Sequence, residues 1–328
     1  MDKLLRFEKL FIKCNFEVQI YNNHYLFIKV FSKDSKQSIV ELDVSDISKN
    51  NVKLLLQREE LNDVYCMGNK WWKLKYNLQE AIKLGKKQLV TFGGAYSNHI
   101  LASAWACQKM GLQSVGIIRG DQHLPLNPTL KKAQSFGMNF RYITRDVYRN
   151  KEEIDWYSLF PESYLLPEGG TNHLAVKGCK EMLYFNDFDV VCVPVGTGGT
   201  MAGIVNGLST HQQAIGFSSL KNGFFLNETI GKYVGTSQID WTIESDYHFG
   251  GYAKITFKLI EFMNTFKKRY AIQLDPVYTA KMMYGIFDML KNGQFPSNSI
   301  ILAIHTGGLQ GIEGMNQRIR AKGWCIDY

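Results

Sequence analysis

The sequence predicts an α/β protein with parallel sheets arranged in two domains. Three observations carry this. Short runs that are apolar along their whole length, such as residues 190–195 and 300–304, alternate with segments of helical spacing. Strands apolar on both faces belong to parallel sheets covered by helices on each side. The chain has 328 residues, above the roughly 250–300 at which one core usually splits in two. Finally, Gly93-Gly94, the glycines of residues 196–203 and Gly307-Gly308 each follow such an apolar run. Ligands of open α/β sheets bind beyond the carboxyl ends of the strands, so these three segments point to one shared site.

Taken in order, residues 1–35 form an N-terminal extension, with a strand-like run at 25–31 and a polar joint at 32–37. Residues 52–56 are a short apolar run. Residues 70–84 have helical spacing through Trp71, Leu74, Leu78, Ala81 and Ile82, and Gly85 supplies the stop. Strands are expected at 88–92, 114–118 and 140–144, with helices at 98–110 and 128–136 between them. The alternation resumes with a strand at 190–195, a helix near 200–208, a strand at 214–217, helices at 257–270 and 278–291, and a last strand at 300–304.

Hydrophobic residues make up 45% and charged residues 21%, a globular composition. The net charge of +8 raises the question of nucleic acid. The basic clusters, Lys86-Lys87, Lys131-Lys132 and Lys267-Lys268-Arg269, are short and fall on solvated faces, so no nucleic-acid partner is expected. Cys14, Cys66, Cys107, Cys179, Cys192 and Cys325 form no C-x-x-C pair, which excludes a disulfide framework and a cysteine metal site. No run approaches 18 uncharged apolar residues and the first residues are broken by charge, so a cytoplasmic protein without membrane contact is expected.

Five segments carry chemistry. Gly196-Thr197-Gly198-Gly199-Thr200-Met201-Ala202-Gly203 follows a buried strand and opens a helix. Free backbone N–H groups at such a turn suit a phosphate, whereas a ligand-free turn is the plainer alternative. Met67-Gly68-Asn69-Lys70 puts a lysine at a helix start, where the helix dipole would lower its amine pKa as a Schiff-base lysine needs. On the residues alone, a surface lysine is the plainer reading. Gly93-Gly94-Ala95-Tyr96-Ser97-Asn98-His99 offers a hydroxyl and an amide at a strand end, or simply a helix cap, and His99 is either a base or a packed histidine. Asp275-Pro276-Val277-Tyr278-Thr279 and His305-Thr306-Gly307-Gly308 are turn signals on their own.

Together, in this order and with Lys70 27 residues before Ser97, these segments resemble the 1-aminocyclopropane-1-carboxylate deaminase and D-cysteine desulfhydrase family. That family has the tryptophan-synthase-β-like fold (fold type II) of pyridoxal-phosphate enzymes. The likeness runs from about residue 36 to the end. It implies a large cofactor-binding domain from 36–92 and 166–328, a small inserted domain from 93–165, pyridoxal 5'-phosphate as cofactor, a small amino-acid substrate and a homodimer. It also implies roles. Lys70 is similar to the lysine that holds the cofactor, Asn98 to the partner of its 3′-oxygen, and Ser97 to the hydroxyl near the substrate carboxylate. Gly196, Thr197, Gly198, Gly199 and Thr200 resemble the phosphate cradle, while Tyr252 and Tyr278 resemble the two catalytic tyrosines. Thr279 stands where the family contacts the pyridine nitrogen, and Thr306 lies in the last Gly-rich segment.

Departures from the family pattern are informative. Met67 replaces a glycine, and Trp72, where deaminases often carry arginine, is expected to reshape the cleft. Ring-opening deaminases typically have glutamate at position 279 and leucine at 306. A neutral Thr279 leaves a weaker electron sink, sufficient for β-elimination, so the resemblance favours D-cysteine desulfhydration over cyclopropane deamination. Lys70, Tyr278 or Ser97 is the expected base. A catalytically silent metabolite-binding protein is the alternative of another class, and a basic nucleic-acid-binding module ranks third.

Overall fold

The computed structural model describes residues 38–235 and 239–328; the strand expected at 25–31 lies outside them. In chain order the elements are β1 (Ile39–Leu42), β2 (Lys53–Arg58), α1 (Asn69–Lys83), β3 (Gln88–Gly94), α2 (Asn98–Lys109), β4 (Gln113–Arg119), α3 (Pro128–Ser135) and β5 (Met138–Ile143). Then come α4 (Arg145–Arg149), α5 (Trp156–Leu159), β6 (Ser163–Leu166), α6 (His173–Lys180), β7 (Val190–Val195), α7 (Gly199–Val205) and β8 (Gln213–Ser218). The chain ends with α8 (Phe225–Gly231), β9 (Asp240–Glu244), α9 (Phe257–Tyr270), α10 (Thr279–Asn292), β10 (Ile300–His305) and α11 (Gly311–Ile319).

The strands form two sheets, one ordered β1-β2-β10-β7-β8-β9 and one ordered β5-β4-β3-β6. Every pairing is parallel except the edge pair β1–β2. The parallel order follows from strands apolar on both faces. In β7, Val191, Val193 and Val195 face one core cluster, which also holds Leu74 and Leu78 of α1. Val190 and Cys192 face the other, with Ile260 and Met263 of α9 and Ile286 of α10. The four-stranded sheet begins in chain order at Gln88, where β3 pairs with β4 and β6.

The two sheets share a core. Leu89 of β3 and Trp105 of α2 belong to the same buried cluster as Val191 and Leu302 of the larger sheet. The carboxyl ends of β3, β7 and β10 therefore open toward one cleft. Among the described residues no helix is long and apolar enough to cross a membrane. Cys66, Cys107, Cys179 and Cys192 are buried free thiols.

Candidate active site

Lys70 reaches the cleft because of its neighbours in sequence. Gly68 precedes α1 at φ 63°, ψ −138°, a conformation costly for any residue with a side chain. A Cβ there would lie 1.9 Å from the carbonyl oxygen of Thr306. The absent side chain lets the start of α1 lie against the segment leaving β10, where the Asn69 N–H donates to Thr306 O at 3.3 Å. The Asn69 amide in turn donates to Thr200 Oγ1 at 2.8 Å, tying α1 to the Gly-rich turn.

A cavity of about 610 Å³ collects Lys70, Ser97, Asn98, Gly196, Thr197, Gly198, Thr200, Tyr252, Tyr278 and Thr306. Six separate segments thus meet, and the amine of Lys70 shares their cavity instead of bulk water. Burial brings that amine down to about 7, with the Lys73 ammonium adding to the effect. Desolvation, rather than the helix start, is the main cause.

Two expected residues stand elsewhere. The hydroxyl of Thr279 is fully buried outside the cavity lining. It accepts from the Asp275 N–H at 2.8 Å and donates to Asp275 Oδ2 at 2.9 Å. Gly199 belongs to the turn but faces Thr171, whose Cγ2 would lie 2.7 Å from an added Cβ. Trp72 is also turned away from the cleft. It is buried in the core and donates to Glu59 Oε2 at 2.6 Å, so it does not shape the cavity.

Ser97 is both a cap and a lining residue, its hydroxyl accepting from the Ile100 N–H at 3.3 Å. His99 resolves as a packed histidine. Thr91 Oγ1 donates to Leu166 O at 2.9 Å and so accepts from His99 Nε2 at 2.8 Å. Burial, together with the charges of Lys70 and Lys73, holds the ring neutral, well below its ordinary range.

Tyr278 stands just before α10 with its ring over Gly196, where an added Cβ would meet Cε1 at 2.9 Å. Its ring centroid is 6.1 Å from that of Tyr252 in an edge-to-face arrangement. Burial raises both phenols, Tyr278 the more strongly, so both are neutral near pH 7. Asp275, which sequence reading passed over as a turn residue, fixes this corner. Its Oδ1 accepts from the N–H groups of Val277 and Tyr278, and its Oδ2 from the N–H and hydroxyl of Thr279.

A second missed residue is Lys73, only 2% exposed. Its ammonium donates to Gly169 O at 3.1 Å, Thr171 Oγ1 at 3.0 Å and Thr197 Oγ1 at 3.4 Å. No carboxylate among the described residues forms an ion pair with it. Buried charges are normally paired, so an uncompensated cation beside a Gly-rich turn fits an anionic ligand group, and the donors suit a phosphate. The available signal was its position three residues after Lys70 on one helix.

The chain is similar to proteins of known kind. A family model described as pyridoxal-phosphate dependent enzyme matches residues 38–307. A putative 1-aminocyclopropane-1-carboxylate deaminase of Thermotoga maritima is 30% identical, over 83% of this chain and 93% of that protein. A mitochondrial bifunctional D-cysteine desulfhydrase/1-aminocyclopropane-1-carboxylate deaminase of Arabidopsis thaliana is 28% identical, over 80% and 74%. A crystal structure of an ACC deaminase homologue superposes with a TM-score of 0.75 at 25% identity, covering 90% of this chain and 98% of that one. A family match across most of the chain and a relative 30% identical over 83% of it lead to one conclusion: the chain belongs to the pyridoxal-phosphate dependent enzymes, within the 1-aminocyclopropane-1-carboxylate deaminase and D-cysteine desulfhydrase family.

Proposed function

We propose that the enzyme cleaves D-cysteine by β-elimination to pyruvate, ammonia and hydrogen sulfide. The observation that carries this reading is the residue type at position 279. A threonine whose hydroxyl is spent on Asp275 stands there, not the glutamate typical of ring-opening deaminases. Pyridoxal phosphate supplies an electron sink for charge at the substrate's α-carbon, and without an acidic partner that sink suits departure of a good leaving group better than C–C cleavage.

The chain's own groups divide the remaining work. Lys70, with its amine near 7, would hold the cofactor by its aldehyde carbon, and its Nζ is the group placed to take up the substrate's α-proton. Lys73 Nζ, the Gly196–Gly198 backbone and the Thr200 hydroxyl would bind the phosphate. Ser97 and the start of α2 would hold the substrate carboxylate, and Asn98 would partner the cofactor's 3′-oxygen. Both tyrosine hydroxyls are neutral, so Tyr278 and Tyr252 serve as proton donors to the departing sulfur rather than as resting bases. The same reading takes the protein as a cytoplasmic homodimer, which light scattering checks.

Purified holoenzyme is expected to release pyruvate from D-cysteine at least ~10-fold faster than 2-oxobutanoate from 1-aminocyclopropane-1-carboxylate at equal concentration. The reverse ratio would assign the deaminase activity borne by some relatives' names. Binding of amino acids with no turnover would assign a sensor.

A second expectation concerns Lys73. Lys73→Met removes a buried charge that lacks a carboxylate partner, so the cofactor-free protein should melt at a higher temperature. Cofactor affinity should fall by about 2–4 kcal/mol, the usual cost of deleting one partner of a buried charge pair. Thermal melts and an absorbance titration with pyridoxal phosphate read the two effects, which have opposite signs.

A further inference from the structure

We propose that Lys281 is a positioning residue, which clamps the loop after β9 so that Tyr252 and Tyr278 stay in register. The inference deepens the reading above, because it rests on Tyr252 taking part in the reaction. Lys281 lies in α10, three residues beyond Tyr278, so both project from the same side of the helix start. It is 1% exposed and lies outside the cavity lining, so it touches neither substrate nor cofactor.

Its ammonium donates to Gly251 O at 2.8 Å, with Ser219 O further off at 3.5 Å. No carboxylate among the described residues forms an ion pair with it. Burying such a cation against carbonyls alone is costly, and a core position in a helix would ordinarily take leucine or methionine. The two acceptors supply the reason. Ser219 is anchored to the end of β7, its N–H and its hydroxyl each donating to Val195 O at 3.0 Å. Val195 is the residue before Gly196. Gly251 is the residue before Tyr252, in a loop where Gly250 and Gly251 have φ of 93° and 110°. One amine therefore links the strand end that precedes the Gly-rich turn to the backbone that presents Tyr252.

The loop needs such a tie. Two consecutive glycines with positive φ leave the backbone free to take other conformations. The Tyr252 hydroxyl is desolvated in the cleft, but the residue as a whole is 43% exposed, so packing alone holds it loosely. Its ring meets Tyr278 edge-on at 6.1 Å, a contact that a shift of about 1 Å would spoil. The amine, held down to about 8 by burial and pushed up by Asp275, carries its proton at neutral pH and so offers three donors.

The test uses the full-length holoenzyme and three variants, Lys281→Met, Tyr252→Phe and the double. Lys281→Met should lower kcat/KM for D-cysteine about tenfold. If Lys281 acts through Tyr252, the double variant should be within about twofold of the worse single variant. Hydrogen exchange, which needs no turnover, should be at least about tenfold faster for amides 249–254 in Lys281→Met, and unchanged in α10 and β8. Fully multiplicative losses, or exchange that quickens along α10 as well, would make Lys281 a mere packing residue and overturn the proposal. If wild-type protein turns over no D-cysteine, the functional reading fails while the exchange result still judges the clamp. Should Lys281→Met not fold, Lys281→Gln retains one donor for Gly251 O and carries the same readouts, with smaller expected effects.

Discussion

Lys70→Ala is expected to lower turnover by about 10³-fold or more and to remove the cofactor's visible band near ~410–420 nm. The size follows from the double use of one amine. It holds the cofactor, and it is the group placed to move the substrate's proton. Burial brings it to about 7, so at neutral pH about half of the cofactor-free molecules present a neutral, nucleophilic nitrogen. The sign for pH follows. In cofactor-free wild-type protein, the rate of cofactor capture should rise as pH climbs through about 7 and then level. An ordinary lysine, neutral only near 10.4, would still be gaining at pH 9. Stopped-flow absorbance across that range distinguishes the two. A band that survives in Lys70→Ala with full activity would end the assignment.

Gly68→Ala should be nearly as damaging, although the glycine has no functional group. Its Cβ would lie 1.9 Å from Thr306 O and 2.7 Å from the Gly307 nitrogen, both backbone atoms that no rotamer change can relieve. The residue would also have to hold φ 63°, ψ −138°. Strain and overpacking together should cost about 2–4 kcal/mol of stability. Because Gly68 sets where α1 begins, relief of the clash must also displace Lys70 from the cavity. The expected result is a protein that melts lower and binds cofactor poorly. Gly111→Ala, at φ 68° with no atom within 4 Å, gives a positive-φ reference without a clash. If Gly68→Ala loses no more stability than Gly111→Ala, neither the close approach to Thr306 nor the backbone at Gly68 is costly, which overturns the prediction.

What could be read from the sequence was what period and punctuation reveal. Val190–Val195 reads directly as a strand because both its faces are buried in apolar clusters. The edge strands β1 and β9 were missed because IVEL and DWTIE mix charge with half-buried positions. Helix α6 was missed for a similar reason. HLAVKGCK is short, and its Gly178 marks a close approach to Trp72 O rather than a break.

In the cleft, Lys70, Ser97, Asn98, Thr306, the tyrosines and most of the Gly-rich turn were legible through motif order. Lys73 and Lys281 were not, since a buried lysine has the same letter as a solvated one and only tertiary surroundings tell them apart. Thr279 illustrates the converse. Its position in the motif was visible, but the commitment of its hydroxyl to Asp275 is a matter of local hydrogen bonding.

The order of the larger sheet bears on how the protein comes into being. One of its two central strands, β10, lies between β2 and β7, so residues 300–305 bridge segments made more than a hundred residues earlier. Contacts so distant along the chain form slowly. A ribosome-bound chain lacks that bridge until β10 itself has been made, and until then the strand ends around the cleft have no common frame. Vitamin capture therefore waits for β10, and its onset marks the moment at which that strand has joined β2 to β7.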